Sequence, residues 1–164
     1  MIQDFTLNLN LDQLKNSLLN LMDDQGRKKS NKGGYQSNLL RPSDIPSYLK
    51  DEIELKVDGE LLSWWINING NGHYNGTHDH HDRTPPTGPV GISGVFYVSV
   101  PDDNMGDILF QGTMMRSHPT LYDPPLRYEP KPNRLLIFPS DCFHSVEPNQ
   151  SDKERMSLAF NYTG

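Results

Sequence analysis

The fold class of this chain is decided by one stretch, Leu62-Ser63-Trp64-Trp65-Ile66-Asn67-Ile68-Asn69. Side chains alternate along it with a period of two, which is the period of a β-strand. The two faces of the strand differ: one carries Trp64, Ile66 and Ile68, and the other carries Trp65, Asn67 and Asn69. We therefore expect a strand with one apolar and one mixed face.

Short runs of the same kind recur to the end of the chain, separated by turns rich in glycine and proline. The further predicted strands cover residues 74–80, 92–100, 107–111, 135–138 continued by 144–146, and 154–162. About seven or eight short strands at regular spacing predict an antiparallel sandwich or barrel. An eight-stranded jelly roll is the member of this class that we favour.

Two amphipathic helices are predicted before these strands, after a short strand at residues 5–9. The first has leucines at helical spacing, with Asn10 as its N-cap and Gly26 as its stop. The second is expected between Ile45 and Val57, with Pro46 in the first turn, where proline is tolerated. Both helices should pack on one sheet, so the expected fold is mainly β with N-terminal helices.

Length and composition narrow the function classes. The 164 residues fit one domain, 1–164, with a helical part at residues 1–60 and a jelly-roll core at residues 61–164. The formal net charge of −6 disfavours a nucleic-acid partner. The single cysteine, Cys142, fits a reducing cytoplasm. The sequence shows neither a membrane-spanning apolar run nor a secretory signal pattern, so we expect a cytoplasmic protein without a membrane partner.

Two segments, residues 26–42 and 112–133, are predicted to be long loops. The first contains the only basic cluster, Arg27-Lys28-Lys29 with Lys32, for which a solvated loop is the favoured interpretation. The second holds five prolines and little periodicity, which is typical of a lid. Loops of this length are often functional, and both are expected to shape the substrate site.

The stretch Thr77-His78-Asp79-His80-His81-Asp82 is the strongest candidate for chemistry and holds three of the six histidines. On an extended strand, residues i and i+2 point to the same face, so a His-x-His or His-x-Asp pair aims two donors at one point. Imidazole donors suit iron, zinc, copper or nickel. The alternative interpretations are a solvated loop and an adventitious nickel binder.

The last predicted strand also has contrasting faces: Met156, Leu158, Phe160 and Tyr162 on one, and Arg155, Ser157, Ala159 and Asn161 on the other. If the polar face meets solvent, the strand is an ordinary amphipathic edge. If it faces the inside of a barrel, Arg155 needs an anion, and a carboxylate is its natural partner, with Ser157 as a second donor. His144, just after a buried strand, is the third candidate metal ligand.

Five motifs now stand in order: Trp65-Ile66-Asn67, Asn75-Gly76-Thr77-His78-Asp79-His80, Ser93-Gly94-Val95-Phe96-Tyr97, Phe138-Pro139-Ser140 with His144, and Arg155-Met156-Ser157-Leu158-Ala159-Phe160-Asn161. This order resembles the Fe(II)- and 2-oxoglutarate-dependent oxygenases with a double-stranded β-helix (jelly-roll, cupin-like) core. More closely, it is similar to a branch of small oxygenases common in marine bacteria and phages. Residues 30–37 also resemble an N-terminal element of that branch.

The resemblance implies a role for each motif. His78, His80 and His144 would hold Fe(II), while Arg155, helped by Ser157, would bind the distal carboxylate of 2-oxoglutarate. Polar supports of the cofactor pocket would be Asn67, Tyr97 and Asn161. The implied reaction is a hydroxylation of an unidentified small-molecule or peptide substrate by O2, coupled to decarboxylation of 2-oxoglutarate to succinate and CO2.

Alternatives remain open at two points. The superfamily usually has a carboxylate in its first ligand pair, so His80-x-Asp82 is a second frame beside the favoured His78-x-His80. A cupin-like metalloprotein that does not use 2-oxoglutarate would keep the histidines but would not need Arg155 and Ser157. A non-enzymatic protein with a histidine-rich surface loop ranks last, because it leaves the order of the motifs as coincidence.

Substitution of Asp82 separates the two ligand frames. In the favoured frame, Asp82→Ala removes no ligand, so the bound metal measured per chain should equal that of the wild type. His80→Ala serves as the comparison, because it removes a ligand in either frame. Loss of metal from Asp82→Ala as complete as that from His80→Ala would select the His80-x-Asp82 frame.

Overall fold

A computed structural model of the protein describes residues 2–23, 25–80, 91–113 and 119–163. The elements in chain order are β1 (Gln3–Thr6), α1 (Leu11–Leu19), β2 (Asn31–Lys32), β3 (Tyr35–Gln36), a 3-10 turn (Pro42–Asp44), α2 (Ser47–Glu54), β4 (Leu61–Asn69), β5 (Tyr74–His78), β6 (Ile92–Ser99), β7 (Ile108–Thr113), β8 (Thr120–Tyr128), β9 (Arg134–Pro139), β10 (Cys142–Val146) and β11 (Arg155–Tyr162). Strands therefore dominate after residue 60, as the change of period predicts.

The strands form two facing sheets. One has the order β1-β9-β6-β11-β4-β3, and the other has the order β2-β5-β10-β7-β8. All pairings between described strands are antiparallel. Strands β4–β11 divide four to each sheet, which is the eight-stranded arrangement of a jelly roll. The predicted fold, a jelly roll with helices before it, is confirmed.

The main apolar core lies between the two helices and the outer face of the six-stranded sheet. Leu14 and Leu18 of α1 and Leu49 and Ile53 of α2 are fully buried there. The sheet contributes Trp64, Ile66, Leu158 and Phe160 to the same cluster. The predicted helical faces are therefore correct. Neither helix in the described ranges has the length and apolar character needed to cross a membrane.

The N-terminal cap of α1 is correct, but its predicted end is wrong. The side chain of Asn10 accepts a hydrogen bond from the Gln13 backbone N–H at 3.1 Å. The helix ends at Leu19, well before Gly26. Between Gly26 and the 3-10 turn, the chain forms β2 and β3, which pair with different sheets. Residues 26–42 are therefore attached to both sheets and do not form a free loop.

The largest correction concerns residues 112–133, which were predicted to be a loop. Strand β8 occupies Thr120–Tyr128 and pairs with β7. It is the edge strand of its sheet, and an edge is where prolines such as Pro124 and Pro125 are tolerated. Residues 114–118 lie outside the described part of the chain. Residues 144–146 also do not continue β9, because they belong to β10 in the other sheet.

Strands β4 and β11 lie next to each other, and the predicted alternation of their faces is correct. Their apolar faces pack under the helices. Their other faces line an inner cavity between the two sheets, with Trp65, Asn67, Asn69, Arg155, Ser157 and Ala159 on its wall. All eight residues of β11 are buried, so the solvent-exposed amphipathic edge is excluded.

A close contact at Gly94 in β6 gives a stability prediction. A Cβ atom there would lie 2.8 Å from the carbonyl oxygen of Leu136 and closer still to the ring of Phe160. We expect Gly94→Ala to lower the free energy of unfolding by about 1–3 kcal/mol, measured by urea denaturation, because the added methyl overpacks the core.

Gly76→Ala in β5 is the matched control, since its Cβ would meet only the Ser30 carbonyl oxygen, at an ordinary contact distance of 3.8 Å. That variant should stay within about 0.5 kcal/mol of the wild type. Equal destabilisation by the two substitutions would contradict the packing argument.

Candidate metal and cofactor site

Three histidines meet at one end of the inner cavity. His78 ends β5, His80 follows two residues later, and His144 lies opposite His78 in the pairing of β10 with β5. One ring nitrogen from each histidine lies within 4.8 Å of those from the other two. The ring centroids are 4.2 Å apart for His78 and His144, 4.8 Å for His80 and His144, and 5.3 Å for His78 and His80. The structure thus brings together the three predicted ligands.

The protein leaves the same nitrogen of each ring available. His78 Nδ1 lies 2.7 Å from the Gly76 carbonyl oxygen, and His144 Nδ1 lies 2.9 Å from the Cys142 carbonyl oxygen. His80 Nδ1 lies 3.0 Å from the side-chain oxygen of Asn161. A carbonyl oxygen only accepts, so each Nδ1 carries the proton and each Nε2 carries the lone pair. This is the tautomer that metal-binding histidines adopt when a carbonyl orients them.

The cluster favours neutral rings. Burial lowers the pKa of all three histidines and is the largest cause in each case. For His80, burial together with the charge of a protonated His78 lowers the pKa to about 3. His144 has a pKa well below the ordinary value because burial is followed by repulsion from His80 and His78. Neutral imidazole is the form that binds a transition metal, so the donor set fits such an ion.

Asn161 orients His80, a contact that sequence reasoning missed. Its side-chain oxygen also accepts a hydrogen bond from Ser93 Oγ at 2.7 Å, and its nitrogen donates to Ser63 Oγ at 3.3 Å. Asn161 was predicted as a polar support of the cofactor pocket. In the structure its side chain contacts His80 and is not among the residues that line the inner cavity. The alternation of side chains along β11 predicts the face on which Asn161 lies, but it does not predict a contact with His80, which is 81 residues away in the chain.

Arg155 lies on the wall of the same inner cavity as the three histidines. It is 2% exposed, and its Nη1 donates to the carbonyl oxygens of Met105 at 2.6 Å and Gly106 at 2.9 Å. Its Nε is buried and has no hydrogen-bond partner. No described carboxylate forms a salt bridge with it, and burial lowers its pKa. A buried cation in this state calls for an anionic ligand.

Three other predicted residues, Ser157, Tyr97 and Asn67, line the same cavity. The side-chain oxygen of Asn67 is buried without a partner. Burial is the largest cause that raises the pKa of Tyr97, so its phenol stays protonated and can donate a hydrogen bond. The cavity therefore combines one guanidinium with neutral polar groups, a set that suits a carboxylate.

A second, larger cleft of about 660 Å³ lies next to the inner cavity. His78 and His80 line both the cleft and the inner cavity. The side chains around the cleft include Trp65, Asp79 and Asn161, together with four cations of the segment before β3: Arg27, Lys28, Lys29 and Lys32. A ligand in this cleft would therefore lie beside two of the three histidines without contacting the cavity wall that holds Arg155.

The second ligand frame cannot be placed in the same way. His81 and Asp82 lie outside the described residues, so the His80-x-Asp82 pair stays a prediction. His78, which belongs only to the His78-x-His80 frame, does lie in the cluster.

Removal of His144 should abolish tight metal binding. We expect His144→Ala to lower the affinity for Co(II) by about 100-fold or more, measured by the visible absorption of bound Co(II). Loss of a direct ligand should cost more than loss of a residue that only hydrogen-bonds a ligand, which typically costs about 10- to 100-fold. His73→Ala is the control, because His73 instead accepts a hydrogen bond from the Gly70 backbone N–H at 2.9 Å. Undiminished Co(II) binding by His144→Ala would remove this residue from the site.

Solved structures with this architecture span almost the whole chain. A prolyl-4-hydroxylase from Pseudomonas putida has a TM-score of 0.69 at 16% identity, over 99% of this chain and 92% of that one. The collagen prolyl hydroxylase of Paramecium bursaria Chlorella virus-1, in its 2-oxoglutarate complex, has a TM-score of 0.64 at 13% identity, over 98% and 94%. HygX from Streptomyces hygroscopicus, with nickel and 2-oxoglutarate bound, has a TM-score of 0.69 at 10% identity, over 98% and 82%. At such identities the likeness establishes the fold alone.

Sequence comparison supplies the family. No curated protein matches the chain in sequence. Residues 63–161, which begin within β4 and reach the last but one residue of the site strand β11, match the family described as "Putative 2OG-Fe(II) oxygenase". This match covers more than half of the 164 residues and includes His78, His80, His144 and Arg155. The chain therefore belongs to this family of 2-oxoglutarate- and Fe(II)-dependent oxygenases.

Proposed function

We propose that the protein is an Fe(II)- and 2-oxoglutarate-dependent dioxygenase that hydroxylates its substrate. In the balanced reaction, O2 supplies one oxygen atom to a substrate C–H bond and the other to 2-oxoglutarate, which leaves as succinate and CO2. The family implies both cofactors. The substrate would be a small molecule or a peptide.

The residues proposed to hold Fe(II) are His78, His80 and His144. One ring nitrogen of each lies within 4.8 Å of those of the other two. Each Nδ1 faces a carbonyl oxygen, so Nε2 is the atom that would bind the metal. Bound iron would supply the activation of O2, which no side chain of the protein can perform. Because three neutral ligands add no negative charge, the metal centre would be more positive than one with a carboxylate ligand.

The single observation that carries the proposal is the state of Arg155. Its guanidinium is buried, two backbone carbonyls hold it in place, and its Nε has no partner. The distal carboxylate of 2-oxoglutarate would supply the missing acceptor and the missing negative charge. Ser157 lies on the same face of β11, two residues on, and would donate a further hydrogen bond to that carboxylate.

Tyr97 and Asn67 would complete the pocket around the cofactor. The protonated phenol of Tyr97 is a donor, and the unpartnered oxygen of Asn67 is an acceptor beside it. These groups would orient 2-oxoglutarate and exclude competing positions, which is the contribution that a protein makes to cofactor chemistry. For Asn161, we propose the positioning of His80 in place of direct cofactor binding.

The competing function, a cupin-like metalloprotein without 2-oxoglutarate, accounts for the histidines alone. It gives no reason to bury Arg155 without an anion, an arrangement that costs several kcal/mol per ion by general estimates. The buried Arg155 therefore favours the 2-oxoglutarate-dependent reaction over the cupin-like alternative.

Substitution of Arg155 tests this proposal. We expect Arg155→Ala to weaken 2-oxoglutarate binding by about 10- to 100-fold, the range for a lost hydrogen bond to a charged group. Binding is measured by anaerobic titration of the Fe(II)-loaded protein, following the visible charge-transfer band of chelated 2-oxoglutarate. Arg155→Lys keeps the charge but loses the planar fork of the guanidinium, so its affinity for 2-oxoglutarate should lie between those of the wild type and Arg155→Ala.

Arg41→Ala is the matched control, because Arg41 is 81% exposed, pairs with Asp44 at the surface and lines neither the inner cavity nor the outer cleft. It should bind 2-oxoglutarate like the wild type. An unchanged affinity for 2-oxoglutarate in Arg155→Ala would refute the role of this residue. Metal binding by the wild type without any charge-transfer band would favour the cupin-like alternative.

A further inference from the structure

The outer cleft carries a charge opposite to that of the chain. The protein has a formal net charge of −6, yet four cations line this cleft: Arg27, Lys28, Lys29 and Lys32. Asp79 is the only acidic residue among the described residues that line it. The sequence-based interpretation of these cations as part of a solvated loop is therefore incomplete. They face the space next to the metal-binding histidines.

Arg27 is the cation that the fold holds in place. Its backbone N–H donates to the Gln36 carbonyl oxygen at 2.7 Å, and its Nε donates to the Ser37 carbonyl oxygen at 2.9 Å. Its guanidinium carbon lies 5.1 Å from the ring centroid of Trp65. Trp65 in turn lies 5.2 Å from the ring of His80, measured between centroids. The guanidinium is therefore positioned one aromatic ring away from the metal site.

None of the four cations has an acidic partner among the described residues. Apart from Arg155, the other described arginines do have acidic partners: Arg41 pairs with Asp44, Arg127 with Asp107 and Glu147, and Arg134 with Asp4. Arg27 is half-buried, so its guanidinium has lost part of its hydration, and this burial lowers its pKa. A partly dehydrated, fixed guanidinium without a counter-charge is prepared to bind an anion.

We infer that the substrate of the proposed oxygenase carries an anionic group, a carboxylate or a phosphate, and that Arg27 binds it. The planar fork of Arg27 matches either group with two parallel hydrogen bonds. Lys28, Lys29 and Lys32 are exposed, so they contribute attraction at longer range and little fixed geometry. The assignment of this anion to a substrate rests on the proposed function, whereas the binding of an anion by Arg27 does not.

The inner arginine does not serve this purpose. Arg155 lines the inner cavity, and Arg27 lines the outer cleft, with His78 and His80 on both walls. The two guanidinium groups thus define two separate anion positions, one in each space, and both spaces are bounded by the same two histidines. The acidic remainder of the chain would repel an extended polyanion, which makes a single anionic group the better match.

The test uses the two tryptophans as reporters. Of the two indole N–H signals in a nitrogen-15 spectrum, that of Trp65 reports on the cleft. The signal of Trp64 is an internal control, since its indole lies in the core and donates to the Arg41 carbonyl oxygen at 2.8 Å. Trp65→Phe assigns the signals. The probes are inorganic phosphate and acetate, with uncharged acetamide as the comparison, at constant ionic strength.

We expect saturable movement of the Trp65 signal with phosphate, acetate or both, while acetamide leaves it unmoved. The stronger probe identifies the anionic group as phosphate or carboxylate. Arg27→Gln should weaken the response roughly tenfold or more. Arg41→Gln makes the same change in net charge at a side chain that is 81% exposed and outside the cleft, and it should respond like the wild type.

Arg155→Ala assigns the response to the outer cleft. A response that survives in Arg155→Ala and is lost in Arg27→Gln supports the inference. An equal response to acetamide, equal losses in Arg27→Gln and Arg41→Gln, or dependence on Arg155 alone would overturn it. The titration needs neither iron nor 2-oxoglutarate. If the Trp65 signal does not respond but the charge-transfer band forms, only the anion site is refuted. If the Trp65 signal responds but no charge-transfer band forms, only the proposed reaction is refuted.

Discussion

The site depends on one strand whose two faces are both buried and need different chemistry. All eight residues of β11 are buried. Met156, Leu158 and Phe160 pack under the helices, while Arg155 and Ser157 face the inner cavity. Because side chains alternate with a period of two, a slip of one residue would place the guanidinium in the apolar core. Pairing with β4 on one side and β6 on the other fixes the register against that error.

Unsatisfied polar atoms mark the same region. Among the described residues, the buried side-chain atoms without a partner belong to Gln36, Tyr48, Asn67, Asn69, Asp79, Gln111 and Arg155. Three of these residues line the inner cavity and two line the outer cleft. Buried polar groups are normally paired, so such a concentration is a cost that the folded chain carries until a ligand offers partners. Stability and ligand binding are therefore coupled at this site.

Local periodicity made the strand faces and the helical faces predictable from the sequence. The grouping of His144 with His78 and His80 was implied by the resemblance to the oxygenase family. Strand β8 was missed because Pro124 and Pro125 imitate a loop, and only the sheet order shows that β8 is an edge. The contact of Asn161 with His80 and the position of Arg27 on Trp65 were missed for another reason. Both join residues far apart in the chain, and a period of two or 3.6 carries no information on such pairs.

The double attachment of residues 26–42 has a consequence for how related enzymes diverge. Strand β2 is bound into one sheet and β3 into the other, so the backbone of this segment is fixed by pairs such as Asn31 with Asn75 and Gln36 with Asn67. The side chains of Lys28, Lys29 and Lys32 are nevertheless exposed at the outer cleft and contribute nothing to the core. Mutation can therefore replace them at little cost in stability. The charge of the cleft can therefore change between related proteins while the histidine cluster stays intact.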